Sequence, residues 1–224
     1  MAVDLAELRQ RFQTLYDVNG SAVLDAADGG EVDQLINDGY RALWAEVTAV
    51  NKDFRVTPQA FTLTTTQTLA LPADFSEVRT VRRDPGTSQQ VFLTRYGPRS
   101  AANMYDRTYR LSGANLYIEP LLRAPGAYSL DYIPQCPLLS VPSSAVDAEL
   151  SRFQDFIVYH AVIAALGREE SDTSTFFVLM NGTPDGKDPG ARGRVRRWAS
   201  DQRSADPSMV EDVRRSSAST WGPP

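Results

Sequence analysis

The sequence predicts an α+β fold: an α-helical bundle with an inserted antiparallel β domain and an extended C-terminal tail. Three observations carry this reading. Apolar residues recur at helical spacing before Phe54 and again after Asp147. Between Phe54 and Pro134 that rhythm gives way to β-branched runs and period-two alternation, broken by turn residues. From Ala205 onward the chain is polar with isolated apolar points. The expected units are 1–53, N-terminal helices; 54–134, the inserted β domain; 135–204, C-terminal helices; and 205–224, the tail.

The first helix opens at Asp4 with Glu7 three residues on, the form of a reciprocal cap with Asp in place of Ser or Thr. Leu5, Leu8, Phe12 and Leu15 give it one apolar face, and Val18-Asn19-Gly20-Ser21 breaks it. Val32, Leu35, Ile36, Tyr40, Leu43, Trp44, Val47 and Val50 form the broad stripe of a core-facing second helix, ending near Asn51-Lys52-Asp53.

Strand signals follow. Val56 to Thr66 is β-branched, and Thr68 to Pro72 is expected to pair back on it as a hairpin. Ser76 to Arg83 alternates and stops at Asp84-Pro85-Gly86. Val91-Phe92-Leu93 reads as a short strand and Ser100 to Met104 as a helical turn. Tyr109-Arg110-Leu111 and Leu116-Tyr117-Ile118 flank Ser112-Gly113-Ala114-Asn115, the clearest hairpin. Tyr128 to Ile133 alternates again.

After an extended connector, Asp147 is the expected N-cap of a long helix through Leu166, with Gly167 as its C-cap. Ser171 or Asp172 starts a helix carrying Phe176, Phe177, Leu179 and Met180. The loop Asn181 to Gly190 precedes a basic helix from Arg192 to about Gln202.

Composition bounds the function classes. With 42% apolar and 23% charged residues among 224, the chain is no coiled-coil rod, collagen or wholly disordered protein. No apolar run approaches the ~18 residues of a membrane span, so no membrane partner is expected. The acidic start, Met1 to Glu7, does not read as a signal peptide. Cys136 is the one cysteine and His160 the one histidine, so neither an internal disulfide nor a rich metal site is expected. The expected compartment is a reducing cytoplasm, where the sequons at Asn19 and Asn181 carry no glycan. The net charge of −5 is laid down in blocks: −6 over 1–50, +3 over 51–133, −5 over 134–191 and +3 over 192–224. Such a chain does not suit tight binding along phosphates. It does suit contacts between unlike faces of neighbouring copies.

The chemistry-bearing residues form no catalytic set. His160 lies on an apolar helix face and reads as a packed core residue. Cys136, between Gln135 and Pro137, has no nearby base to lower its pKa. Glu169, Glu170 and Asp172 match no cation loop, and Gly182, Gly186 and Gly190 lack the Lys-Ser/Thr ending of a phosphate loop. The acids of the β region, Asp74, Glu77, Asp84, Asp106, Glu119 and Asp131, are scattered and give no carboxylate pair for a hydrolase. Catalytic, cofactor and metal residues are therefore expected to be none. Arg192, Arg194, Arg196 and Arg197 are the best polar cluster, readable as a solvated face, a protein contact or a phosphate contact. Trp198, Val210, Val213 and Trp221 are apolar points suited to ordering on a partner.

In order along the chain, Leu5-Ala6-Glu7-Leu8-Arg9-Gln10-Arg11, Val32 to Tyr40, Phe61-Thr62-Leu63-Thr64, Leu69 to Phe75, Tyr109 to Gly113, Tyr128 to Pro134, Phe156 to Val162, Glu169 to Asp172 and Asp206 to Arg214 resemble the head–tail adaptor (connector) proteins of tailed bacteriophages. The loop 181–191 looks like an insertion relative to that family. The resemblance implies a non-enzymatic structural virion protein at the virion neck, assembled in the host bacterial cytoplasm. It implies a closed ring of about twelve copies beneath the portal protein, docking downstream tail proteins. Double-stranded DNA would pass through the lumen without sequence-specific binding, since an acidic lumen repels phosphates. The C-terminal segment would reach the portal through Met209, Val210, Val213, Arg214, Arg215 and Trp221. A tail completion or nozzle component on the tail side is the alternative.

Overall fold

The computed structural model describes residues 3–17, 29–64, 66–95, 108–119 and 125–203. Helix α1 (Leu5–Asp17) buries Leu5, Leu8, Phe12 and Tyr16, so Tyr16 takes the place expected of Leu15. Asp4 Oδ1 accepts the Glu7 N–H at 2.8 Å. The reciprocal half of the expected cap does not form, because the Glu7 carboxylate turns to Arg11, one helical turn on. Helix α2 (Gly29–Val50) buries the predicted stripe from Val32 to Val47.

Helix α3 (Gln154–Arg168) packs on both. A Cβ on Gly39 would stand 2.6 Å from the Ile157 carbonyl oxygen, so α2 and α3 approach there as only glycine allows. Asp147 does not cap α3. It opens a turn and a short 3-10 segment, Ser151–Phe153, and its carboxylate serves Arg55 at 2.8 Å. Gly167 is not the C-cap either. The helix runs to Arg168, Glu170 takes the left-handed conformation at φ 56°, and the Ser171 N–H closes on the Leu166 carbonyl.

Helices α4 (Ser174–Asn181) and α5 (Gly190–Arg203) form a hairpin against α3 and α2. The Asp172 carboxylate takes the Ser174 N–H at 2.8 Å and thereby starts α4. The loop between the helices is pinched shut: a Cβ on Gly182 would meet the Asp188 carbonyl at 2.2 Å, and one on Gly190 the Gly182 nitrogen at 2.3 Å. The loop 181–191 is thus a closed turn.

The strands are β1 (Thr57–Leu63), β2 (Thr68–Ala70), β3 (Phe75–Arg83), β4 (Val91–Phe92), β5 (Thr94–Arg95), β6 (Thr108–Ser112), β7 (Asn115–Glu119) and β8 (Gly126–Pro134). They make two four-stranded sheets, ordered β1-β8-β3-β4 and β2-β7-β6-β5. All pairs are antiparallel except β5 with β6. The predicted hairpin at 109–118 forms with Gly113 at φ 58°. The predicted β1–β2 hairpin does not. β1 runs seven residues along β8, while three-residue β2 joins β7 in the other sheet. The long ladder along β8 offers more hydrogen bonds than β2 can, so the chain changes sheet between them. Leu63, Val81, Tyr128 and Leu130 from one sheet share a buried cluster with Tyr109, Leu116 and Ile118 from the other. The expected helical turn at Ser100 to Met104 and the tail 205–224 lie outside the described residues.

Candidate interaction surfaces

The basic helix α5 is anchored by Ala191, Val195 and Ala199, spaced four apart and fully buried. That spacing decides where its arginines go. Arg192 and Arg196, also four apart, both reach Glu46 on α2, at 2.9 and 2.8 Å. Glu46 is only 17% exposed, and Arg192 also donates to Asn181 Oδ1 at 2.8 Å. Arg194 and Arg197 lie round the helix from this pair. Both are exposed, and neither has an acidic partner among the described residues. The four arginines of the sequence cluster therefore divide into two that fasten α5 through Glu46 and two that have no acidic partner among the described residues. Trp198 is a packing residue: its ring meets Phe54 at 6.0 Å and Phe153 at 5.3 Å, with Arg152 over it.

Helix α4 carries five apolar residues in a row. Phe176 and Met180, four apart, face inward and are buried. Phe177, Val178 and Leu179 remain 57%, 42% and 40% exposed. The sequence reading placed these residues on a helix and missed their exposed side. The signal was available, because an eight-residue helix cannot turn five consecutive residues into one core. Leu138 and Val141, on the connector that lies over α1 and α2, are also exposed.

A cleft of about 920 Å³ separates the end of α2 from the strands. It is lined by Trp44, Phe54, Arg55, Asp74, Cys136 and Glu149, among others. Its charged lining is paired: Asp53 with Arg79 at 2.7 Å, and Arg55 with Asp147 and Glu149 at 2.8 and 3.2 Å. Asp74 accepts the Tyr132 hydroxyl at 3.0 Å. Burial pushes the Cys136 thiol up to about 12, so it is no nucleophile at neutral pH. His160 stands half-buried in the bundle, its ring parallel to Phe156 at 6.5 Å. Burial holds its pKa below the ordinary value; Asp38 opposes the shift and Arg192 adds to it.

Several of the carboxylates singled out in the sequence are engaged one by one. Glu169 accepts the Tyr16 hydroxyl, and Asp172, held below the usual range by the Ser174 N–H and hydroxyl, starts α4. In the strands, Asp131 pairs with Arg82 at 2.7 Å, Glu119 with Arg110 at 2.6 Å and Asp84 with Arg83 at 3.3 Å. Among the described residues no three His, Cys, Asp or Glu side chains gather to hold a metal ion, and no helix is long and apolar enough to cross a membrane. What the described surface offers is association: an apolar helix side, exposed arginines and an apolar connector. Met209, Val210, Val213, Arg214, Arg215 and Trp221 lie outside the described residues.

A model of the SU10 adaptor protein family matches residues 3–219, which takes in the helices, the strands and most of the tail. No curated protein matches the chain.

Proposed function

The chain belongs to the SU10 adaptor protein family, phage head–tail adaptors, and from that premise we propose that it is a non-enzymatic ring component of the virion neck. The copies close into a ring, in our reading a dodecamer, beneath the portal protein. The ring extends the DNA channel and docks downstream tail proteins. The observation that carries this is the length of the family match, which spans nearly the whole chain.

In this reading the four parts have separate tasks. Residues 1–53 and 135–204 build the bundle, 54–134 is the inserted domain, and 205–224 orders on the portal. A polar segment with few apolar residues cannot offset its own ordering entropy, so it orders only where a partner supplies surface. Met209, Val210, Val213 and Trp221 supply its apolar contacts and Arg214 and Arg215 its charge. DNA passes through the lumen without sequence-specific binding. The net charge of −5 disfavours a tight grip on phosphates. Assembly takes place in the host cytoplasm.

Deleting 205–224 tests the assignment. The truncated protein keeps its circular dichroism spectrum and melting temperature and is no longer captured by immobilised portal protein. Capture equal to that of the full chain overturns the role given to the segment.

A further inference from the structure

We propose that the exposed side of α4 in one copy seats in a hollow beside Leu138 of the next copy, and that this is the contact between neighbours in the ring. The inference rests on the ring reading above and names the two surfaces that reading leaves open.

Seven large apolar side chains are exposed among the described residues, and three of them are consecutive on α4: Phe177, Val178 and Leu179. A helix that is apolar all round has a second partner. Among the described residues, α3 and α5 cover the side of Phe176 and Met180.

The hollow lies elsewhere. It has a volume of about 360 Å³, with Trp44 and Ile133 among its apolar lining, Arg41, Thr48 and Glu77 as polar lining, and exposed Leu138 beside them. Its place follows from helical geometry. Glu46 on α2 faces α5, where it holds Arg192 and Arg196. Thr48, two residues on, points about 200° away round the helix, and Arg41 points about 140° away. The apolar helix and the hollow therefore lie on different sides of α2. Two unlike surfaces on different sides of one chain make a head-to-tail contact, which repeats from copy to copy and closes when the rotation allows.

Charge agrees with the pairing. On the α4–α5 side, Arg194 and Arg197 are exposed without acidic partners among the described residues. At the hollow, Glu77 is exposed without a cationic partner among them, beside the Arg41–Asp38 pair at 2.8 Å. A second copy thus supplies both apolar cover and opposite charge.

The test uses the full chain assembled on portal protein, in a Cys136→Ser background. Copies carrying Phe177→Cys are mixed with copies carrying Leu138→Cys and treated with a short bis-maleimide. The mixture yields covalent dimers, each variant alone yields monomers, and the double variant yields a ladder of multimers. Dimers from Phe177→Cys alone mean that α4 meets α4 and overturn the proposal. Portal-bound copies that give no cross-link also overturn it and leave the adaptor reading standing. Failure of the wild-type chain to bind portal overturns the adaptor reading and this inference with it. As a second measure, Phe177→Glu changes an exposed residue, so it keeps the wild-type melting temperature while ring-sized particles are lost at least tenfold in light scattering. Rings that persist with this variant overturn the proposal.

Discussion

The side-chain amide of Asn37 and the main chain of Leu139 exchange two hydrogen bonds across 102 residues of sequence. Asn37 Nδ2 donates to the Leu139 carbonyl at 3.1 Å, and Asn37 Oδ1 accepts the Leu139 N–H at 2.9 Å. The amide thus acts as a strand edge for the connector returning from the sheets. The same segment bonds the start of α1, where Leu5 N–H reaches Ser144 and Val146 N–H reaches Val3. Chain start, second helix and connector are held at one place.

Replacing Asn37 by Leu removes both partners of Leu139, which is itself buried. An unsatisfied buried main-chain group costs about 1–3 kcal/mol, so the urea midpoint falls accordingly. Asn37→Asp keeps the acceptor and loses the donor. It falls between the two, and a midpoint equal to wild type in both variants contradicts the account.

Glu46→Ala leaves Arg192 and Arg196 without their shared carboxylate. Both guanidiniums retain access to water, at 38% and 58% exposure, so the loss is modest, about 1 kcal/mol. Glu46→Gln can still accept one hydrogen bond and loses less. Chemical denaturation in low and high salt checks this, since the wild-type advantage shrinks as salt screens the pair.

Gly182→Ala and Gly190→Ala each force a methyl group into main-chain atoms at backbone angles of φ 93° and 63°. Each costs about 1–3 kcal/mol in thermal unfolding. Gly30, at the start of α2, has nothing within 4 Å of a Cβ and an ordinary φ. Gly30→Ala therefore raises stability by about 0.5 kcal/mol. A reversal of this order refutes the pinched-loop geometry.

His160 gives a pH dependence of known sign. Its folded pKa lies below the ordinary 6.5, so on acidification the unfolded chain takes up its proton first. The stability that neutral His160 contributes is present above 6.5 and is lost as pH falls toward the depressed folded value. His160→Gln has no such component. Melting curves from pH 7.5 to 5.5 show wild type losing ground relative to the variant; parallel curves exclude the effect.

Local patterns were legible and long-range ones were not. The stripe from Val32 to Val47 is buried as its spacing says, and the turn at Gly113 is marked by its own residues. The start of α3 was displaced: Asp147, a good cap by type, opens the turn before the 3-10 segment, and its carboxylate is also engaged by Arg55, 92 residues away. The β1–β8 pairing was hidden for the same reason. Alternation tells which side of a strand is apolar and says nothing of its neighbour. On α4, five apolar residues in a row announced a helix, yet which of them faced outward depended on how α3 and α5 met it. The exposed arginines were readable only as a group of four, because the division between them is set by Glu46 on another helix.

Thr57 and Tyr132 stand side by side as aligned partners on β1 and β8. The strand-bearing stretch thus departs from the helices and rejoins them through two doorposts about 5 Å apart. A graft at that threshold, in which everything from 57 to 132 is exchanged for a different hairpin, enters and leaves at one place and gives up the Asp53–Arg79 pair.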